Sequence, residues 1–386
     1  MTALRRFLDA LFLDQQTYAA LYSDPSVPAG PALPEQLLPL KGTAGTNSRD
    51  TARYMISGGK RSARVLALQR VLTEEPIPRT VVITADPRLA NDLRVTGVQL
   101  GAGYDPILHK PPMLAAGILQ KAALAAGYSI PEAGFAISAS LNELQNTGEL
   151  SFERFVMNGC ASLSSRAFQS GRTDAAAAQT VPGARQLDSY RQNFIRNFPS
   201  SGSRPRSLQS LLTGTDPLVF YAPSAEEIFL VLEDLKGELR AGHVGAVVLD
   251  EVCSVLTQKA LDELSLFFCP VILSDADLPA RGIFSAACVG LTAGLFFNHQ
   301  SGAAKLSEFF GTVKRPQVTT TANYGTADSE WGGGPFGIFG NTTVSSGTST
   351  STVLITEPRV TSAKISALPA GEAYLYNSGR LYRCHV

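Results

Sequence analysis

The sequence predicts an α/β fold with a mostly parallel central sheet, an inserted all-helical lobe and a closing C-terminal β-hairpin. Three observations predict it. Residues 52–86 scan as strand, glycine turn, helix and strand, which is a βαβ unit. Apolar, β-branched runs that suit fully buried parallel strands recur at "RTVVITAD", "PLVFYAP", "VGAVVLDEV" and "CPVILSDA". Between the first two of these, residues 131–215 carry helical patterns and no convincing strand.

Composition narrows the function classes. The chain has 386 residues, enough for one large α/β domain with an insertion or for two domains. It is 44% hydrophobic and 17% charged, which suits a packed protein and argues against long disorder. A formal net charge of zero excludes a uniformly basic nucleic-acid coat and leaves a local basic groove open. The five cysteines are odd in number and form no CxxC pair, so they read as buried free thiols. Four scattered histidines argue against a histidine metal site. The apolar run of the N-terminal "MTALRRFLDALFLDQQ" is broken by charges, and the longest apolar stretch, 283–297, is shorter than a membrane span needs. These features predict a cytoplasmic protein without its own transmembrane segment, peripheral to the inner membrane at most.

In chain order, residues 1–50 give a short amphipathic helix and an extended Pro/Gly/Ser/Thr-rich arm. "ARYMIS" is a strand, "GGKRS" a turn, "ARVLALQRVL" a helix and "RTVVITAD" a second strand. "RLANDLRV" reads as a helix and "LGAGYDPILHKPP" as a loop. "MLAAGILQKAALAAG" is a helix led in by Pro111 and Pro112. Four helical segments and an Ala-rich connection (170–186) fill the lobe. A strand at 217–223 precedes a helix with Ser224 as N-cap and Ile228, Val231, Leu232, Leu235 and Leu239 as its buried face. Strands at 244–252, 269–276 and 290–299 follow, then a helix at 302–313. The Gly/Ser/Thr-rich stretch 314–352 reads as a long loop or a β-hairpin excursion. A short helix and two strands turning at Asn377-Ser378-Gly379 end the chain. The corresponding domains are an arm (1–50), an α/β domain (51–130 and 216–386) and an inserted all-α domain (131–215).

Chemistry is concentrated at strand ends. "GAVVLDEV" delivers Asp250 and Glu251 to the C-terminal edge of a buried strand. There Asp250 can hold a Mg²⁺-bound water and Glu251 can polarise an attacking water. Apolar strands ending in Asp-Glu also occur with no such role. A phosphate loop should lie between a strand and a helix. "MISGGKRSAR" offers Gly58 and Gly59 for close backbone approach, Lys60 for charge and Ser62 one residue beyond the Mg²⁺-binding position, where Arg61 stands. Tyr54 occupies the place of the first glycine of GxxxxGK[ST]. A second Gly-rich candidate carries Gly42, Gly45 and Ser48 but no lysine. Ordinary surface turns are the alternative for both. The loop at 56–64 has two conformations to choose between: one wrapping an anion, the other collapsed with Arg61 in the phosphate position. Asp86, Asp275 and Asp277 also end strands and could serve as site acids or as caps. Trp331, with Phe336 and Phe339, could touch a partner or nucleic acid, or anchor its own loop.

The order of these elements resembles the TraG/TraD class of type IV secretion coupling proteins, relatives of HerA and FtsK. The resemblance spans roughly 52–386: "VVITADP", the "GYDP" loop, the helical lobe, the Walker B-like strand, and "ALPAGEAYLYNSGRLYR" as its most distinctive part. It implies a RecA-like P-loop NTPase fold, with Lys60 as the phosphate-loop lysine and Asp250 and Glu251 as the Walker B pair. ATP and Mg²⁺ would be the cofactors, with the metal at Asp250. The resemblance also implies a homo-oligomer, possibly a ring, or a partnership with an active secretion ATPase, and DNA or a relaxase-like cargo. The departures are specific: a shortened phosphate loop, and Ser274-Asp275-Ala276-Asp277 where a Gln sensor belongs. Losing the loop hydroxyl and the sensor together would lower turnover on the order of a thousandfold.

Three functions follow from the residues and the resemblance. The first is a degenerate coupling-ATPase-like subunit acting in assembly, docking or cargo recruitment. The second is an active ATP-driven translocase with an atypical phosphate loop. The third is a structural capsid or scaffold protein without nucleotide chemistry.

Overall fold

The computed structural model describes residues 53–74, 77–128, 130–148, 150–158, 184–199, 204–264, 266–267, 269–279, 284, 291–328, 342–377 and 380–385. The expected N-terminal helix and arm, the second Gly-rich candidate, nearly all of the Ala-rich connection, Trp331 with its two phenylalanines, and the Ser378-Gly379 turn lie outside the described residues. Two compact units are distinguished. One is built from Gly30–Gly302 with Ala367–Val386, and the other is described over Ala303–Ser366.

The first unit is organised by a ten-stranded sheet. From one edge its strands are β12 (Arg380–His385), β11 (Glu372–Asn377), β8 (Leu291–Phe296), β1 (Arg53–Ser57), β7 (Val271–Asp275), β6 (Ala246–Asp250), β2 (Thr80–Thr84), β5 (Leu218–Tyr221), β3 (Thr96–Leu100) and β4 (Gly103–Tyr104). From β8 to β4 all neighbours are parallel; β11 runs antiparallel to β8, and β12 to β11. The central strands are apolar in nearly every position because helices cover both faces, as the sequence runs predicted.

One face carries α1 (Arg61–Glu74). Its Ala67, Leu68, Val71 and Leu72 bury against Tyr54, Ile56, Val82, Val248, Ile272 and Leu295. Leu66 is left exposed, while Arg64 occupies the buried stripe one turn before Leu68. Two other helices pack on each other, α3 (Pro112–Ala125) and α8 (Ala225–Arg240). The Ser224 hydroxyl accepts the Glu227 N–H at 3.3 Å, and the five predicted core residues of α8 are all buried. A short helix, α9 (Gln258–Leu264), joins β6 to β7.

The sequence suggests a helix at 88–95 and a loop at 100–112 with no strand between them, and the structure corrects this. The helix is shorter, α2 (Leu89–Leu93), and Arg94 ends it in the left-handed region at φ 57°. β3 then pairs with β5 and extends the sheet. Thr96, Gly97 and Gln99 conceal the strand, but Val98 and Leu100 alternate inward. Glycine is required at 97 because a Cβ there would stand 2.8 Å from that of Ala90.

Residues 130–211 contain α4 (Ile130–Asn146), α5 (Phe152–Asn158), α6 (Ala184–Asn197) and α7 (Leu208–Leu211), with no strand among the described residues. Phe152, Tyr190 and Phe194 meet edge to face in their core. Asp105 ties this region to the sheet edge. Its carboxylate accepts the N–H groups of Ile107 at 2.9 Å, Leu108 at 3.0 Å and, from α5, Phe152 at 2.9 Å.

The second unit holds α10 (Ala303–Phe310), the long strands β9 (Thr312–Asp328) and β10 (Thr342–Pro358), and α11 (Ser362–Ser366). Of the two alternatives for the Gly/Ser/Thr-rich stretch, the structure selects the hairpin. β9 and β10 pair antiparallel over their whole length.

Candidate functional site

The C-terminal ends of β8, β1, β7, β6 and β2 form one row. Ser57 lies beside Asp275 and Phe296, and Asp250 lies beside Ser274 and Thr84. In a parallel sheet this edge is where ligands bind. It is also where the sequence placed Gly58, Gly59, Lys60, Ser62, Asp250 and Glu251.

The glycine turn is closed on itself. Gly58-Gly59-Lys60 alone joins β1 to α1, so the link is much shorter than a GxxxxGK[ST] loop. Both glycines sit at positive φ, +85° and +67°. Their N–H groups point into the protein: Gly58 donates to the Asp275 carbonyl at 3.0 Å and Gly59 to the Asn298 carbonyl at 2.8 Å. The space a Cβ would take at Gly58 is filled by His299 Nε2, 2.5 Å away, and at Gly59 by Phe297 Cβ, 2.7 Å away. A phosphate cradle works by offering backbone N–H groups to an anion. These two are already used, and the protein's own side chains fill the cradle. In this conformation the turn does not fit a nucleotide phosphate.

Arg64 completes the closure. It is 4% exposed, and its Nη1 donates to the carbonyls of Gly58 at 3.1 Å and Gly59 at 2.9 Å. Its Nη2 pairs with the Glu251 carboxylate. One guanidinium therefore bridges the turn and the acidic strand end. Its planar fork serves three acceptors from two separate nitrogens, a spread that the single nitrogen of a lysine could not match. The expected collapse with Arg61 in the phosphate position is corrected. Arg61 turns outward to Asp86 and Asp92, and the inserted cation is Arg64. Lys60 and Ser62 are exposed on the surface of the turn.

The carboxylates divide into three kinds. Asp250 is buried and accepts the Thr84 hydroxyl at 2.8 Å. Burial pushes its carboxyl up to about 6; the nearby Ser274 hydroxyl, the Thr84 hydrogen bond and the Arg64 charge oppose the rise, and Glu251 adds to it. Glu251 follows at φ 53°, a left-handed conformation unusual for a residue with a side chain. Its N–H donates to the Ser274 carbonyl at 2.8 Å, which turns the chain back over β7 and aims the carboxylate at Arg64. The remaining acids cap loops. Asp275 accepts the N–H of Cys253 at 2.9 Å and of Asp277 at 3.2 Å, and Asp277 accepts the Ser301 hydroxyl at 2.9 Å. For Asp86, burial alone would raise the carboxyl, but the Arg61 hydrogen bond leads the opposing effects and holds it below the ordinary range.

Two groups at this edge carried no weight in the sequence. His299 is buried against Gly58, and desolvation pulls its imidazole down to about 4, so it is neutral at physiological pH. The Cys253 thiol is held far above its ordinary range by burial and by Asp275, which removes it as a nucleophile. Among the described residues no group of three or more His, Cys, Asp or Glu side chains could hold a metal, and no helix is long and apolar enough to cross a membrane. The described cysteines, Cys253, Cys269 and Cys384, are buried free thiols.

No protein-family model matches the sequence, and no curated protein matches it. Solved structures do match. The bacterial conjugative coupling protein TrwBdeltaN70, in its unbound monoclinic form, is 13% identical, with a TM-score of 0.52 over 87% of this chain and 84% of that one. TrwB in complex with ADP and Mg²⁺ is 12% identical, with a TM-score of 0.51 over 96% and 91%. VirB4 of Thermoanaerobacter pseudethanolicus is 9% identical, with a TM-score of 0.53 over 87% and 89%. At such identities the likeness establishes the fold. The α/β architecture, a mostly parallel sheet closed by a C-terminal hairpin, is similar in fold to the TrwB and VirB4 structures.

Proposed function

We propose that this chain is a coupling-protein-like component of a conjugation or type IV secretion apparatus, in which the ATPase fold serves assembly, docking or cargo recruitment without turnover. The fold shared with TrwB and VirB4 supports the apparatus. The Arg64 bridge carries the second half of the reading. A buried internal cation stands between the glycine turn and Glu251, where phosphate and Mg²⁺ would have to come. Its partners on this reading are copies of itself or an active secretion ATPase, with DNA or a relaxase-like protein as cargo, at the cytoplasmic face of the inner membrane.

Isothermal calorimetry with millimolar ATP and ADP, with and without Mg²⁺, tests this directly. No binding heat and no phosphate release above buffer are expected. Mg²⁺-dependent turnover that disappears in both Lys60→Ala and Asp250→Asn would overturn the reading. It would favour the alternative of an active translocase, for which the placement of Asp250 and Glu251 at the end of a buried strand speaks. In that case Arg64 would have to leave Glu251 on nucleotide binding.

A further inference from the structure

α3, α8 and α9 enclose a cleft of about 740 Å³, within the size range of built binding sites. It shares no residue with the Arg64 bridge. Its floor is apolar: Phe229, Leu232 and Leu264 are all buried. Its rim is apolar too, but open, with Leu124 53% and Leu266 75% exposed. Large apolar side chains left in water around an apolar cleft mark a surface that something else covers. Charge surrounds it. Lys236 lies deep and bridges Glu233 and Glu263, so both acids of the lining are held internally. Three further cations stand at the outside. Lys121 is exposed, Arg240 lies 5.7 Å from the centre of the Phe267 ring, and Lys259 is exposed 3.9 Å from Glu263. The lining therefore sets four cations against two acids.

Two glycines add an independent observation. Gly117 lies within α3, four residues before Lys121 and seven before Leu124; Gly237 lies within α8, four residues after Glu233 and three before Arg240. These spacings put each glycine on the stripe of its helix that meets the cleft. Glycine inside a helix is destabilising relative to alanine. Neither glycine has a positive φ, and a Cβ added to either would meet nothing within 4 Å. The packing of this chain makes no use of their smallness. A second backbone laid against the two helices would.

We propose that this cleft docks an acidic amphipathic helix of a partner protein, its apolar side chains on the floor, its carboxylates toward Lys121, Arg240 and Lys259, and its backbone close to Gly117 and Gly237. Such helix-in-groove recognition places apolar anchors at i, i+3, i+4 and i+7. The observations select this occupant. A small amphiphile would fill the floor, yet it would leave Leu124 and Leu266 in water and gain nothing from the glycines. A basic helix would meet the surplus positive charge of the lining with more of the same sign. The inference is independent of nucleotide chemistry and stands whether or not ATP binds.

The test titrates the full chain against a fluorescently labelled designed helix with leucines at i, i+3, i+4 and i+7 and glutamates on its flanks, read by anisotropy. A second peptide carries lysine at every glutamate. The acidic peptide should bind saturably and at least about tenfold more tightly than the basic one. Leu124→Glu/Leu266→Glu and Gly117→Leu/Gly237→Leu should each weaken it at least about tenfold with an unchanged far-ultraviolet spectrum, since the added groups point into open space. An acidic peptide that fails to bind into the high micromolar range, a basic peptide that binds as well, or folded variants that bind as the parent does would overturn the proposal. Two further results would reassign the cleft and so overturn it. One is oleate that displaces the peptide and binds the glycine variant as tightly as the parent. The other is a parent that self-associates in sedimentation velocity and is dispersed by Leu124→Glu/Leu266→Glu.

Discussion

The ends of β1 and β6 lie one strand apart and have been treated very differently. At the end of β1, the features that would receive a phosphate are turned inward: N–H groups bond to neighbouring strands, carbonyls bond to Arg64, and aromatic rings fill the glycine space. At the end of β6, an acid pair survives in position, with Asp250 deep and Glu251 reaching outward. Phosphoryl transfer needs both halves, an anion cradle and an acid that manages metal and water. The difference teaches that one strand end can be packed as ordinary core while a nearby one presents an acid pair, because Arg64 supplies from within the positive charge that the acids require.

The sharpest way to break this contrast is Gly58→Ala. The new methyl would stand 2.5 Å from His299 Nε2 and 2.7 Å from the Asn298 carbonyl, on a backbone at φ +85°. A loss of about 3–4 kcal/mol in urea unfolding is expected. Equal stability would mean that the turn opens easily. Next in size is Arg64→Met, which keeps the stem but leaves two carbonyls and a carboxylate without their donor. About 2–4 kcal/mol should be lost, with Arg64→Lys recovering only part of it. Full recovery by lysine would show that charge alone matters.

The pH dependence sharpens the same comparison from the other side. Asp250 titrates near 6 in the folded protein against 3.8 for an ordinary Asp, so the native state binds its proton more tightly and gains stability as pH falls from about 6 to 4. His299 titrates near 4 against 6.5, so its contribution runs the opposite way: stability is lost as pH falls from about 6.5 to 4. The two slopes largely cancel in the parent. Asp250→Asn should gain about 1–3 kcal/mol at pH 7 relative to the parent, and that advantage should vanish on acidification to pH 4. Thermal denaturation of both proteins across this range checks it, and a pH-independent difference would contradict the buried, shifted carboxyl. The smallest effect is expected for Lys60→Ala and Ser62→Ala. Both residues are exposed, so each should change stability by less than about 0.5 kcal/mol.

Much of this was legible in the sequence for a simple reason. Strands buried on both faces must be apolar throughout, and Asp250 and Glu251 announce themselves as charges at the end of such a run. β3 was hidden because only Val98 and Leu100 carry its pattern. The closure of the turn was hidden for a different reason. Nothing near Arg64 in the chain distinguishes it from a solvated helix residue, although it falls on the same stripe as Leu68 and Val71; a cation on an apolar stripe was the available signal. Its acceptor, Glu251, comes from the far side of the helical lobe. His299 and Phe297 likewise gain their meaning only from packing against glycines that lie far earlier in the chain, on the neighbouring strand end.

The strand order has a consequence for how the protein is made. β1 is the first described strand to leave the ribosome, yet both of its neighbours come from the last third of the chain: Ser57 waits for Asp275 on one side and Phe296 on the other. Sheets dominated by such distant pairings fold slowly, and the waiting strand is open to wrong partners. The nascent chain must therefore carry an unpaired, wholly apolar "YMI" segment through most of its synthesis. Its demand for a holding chaperone should scale with translation time, and cutting the chain before β7 should leave an aggregating fragment rather than a smaller domain.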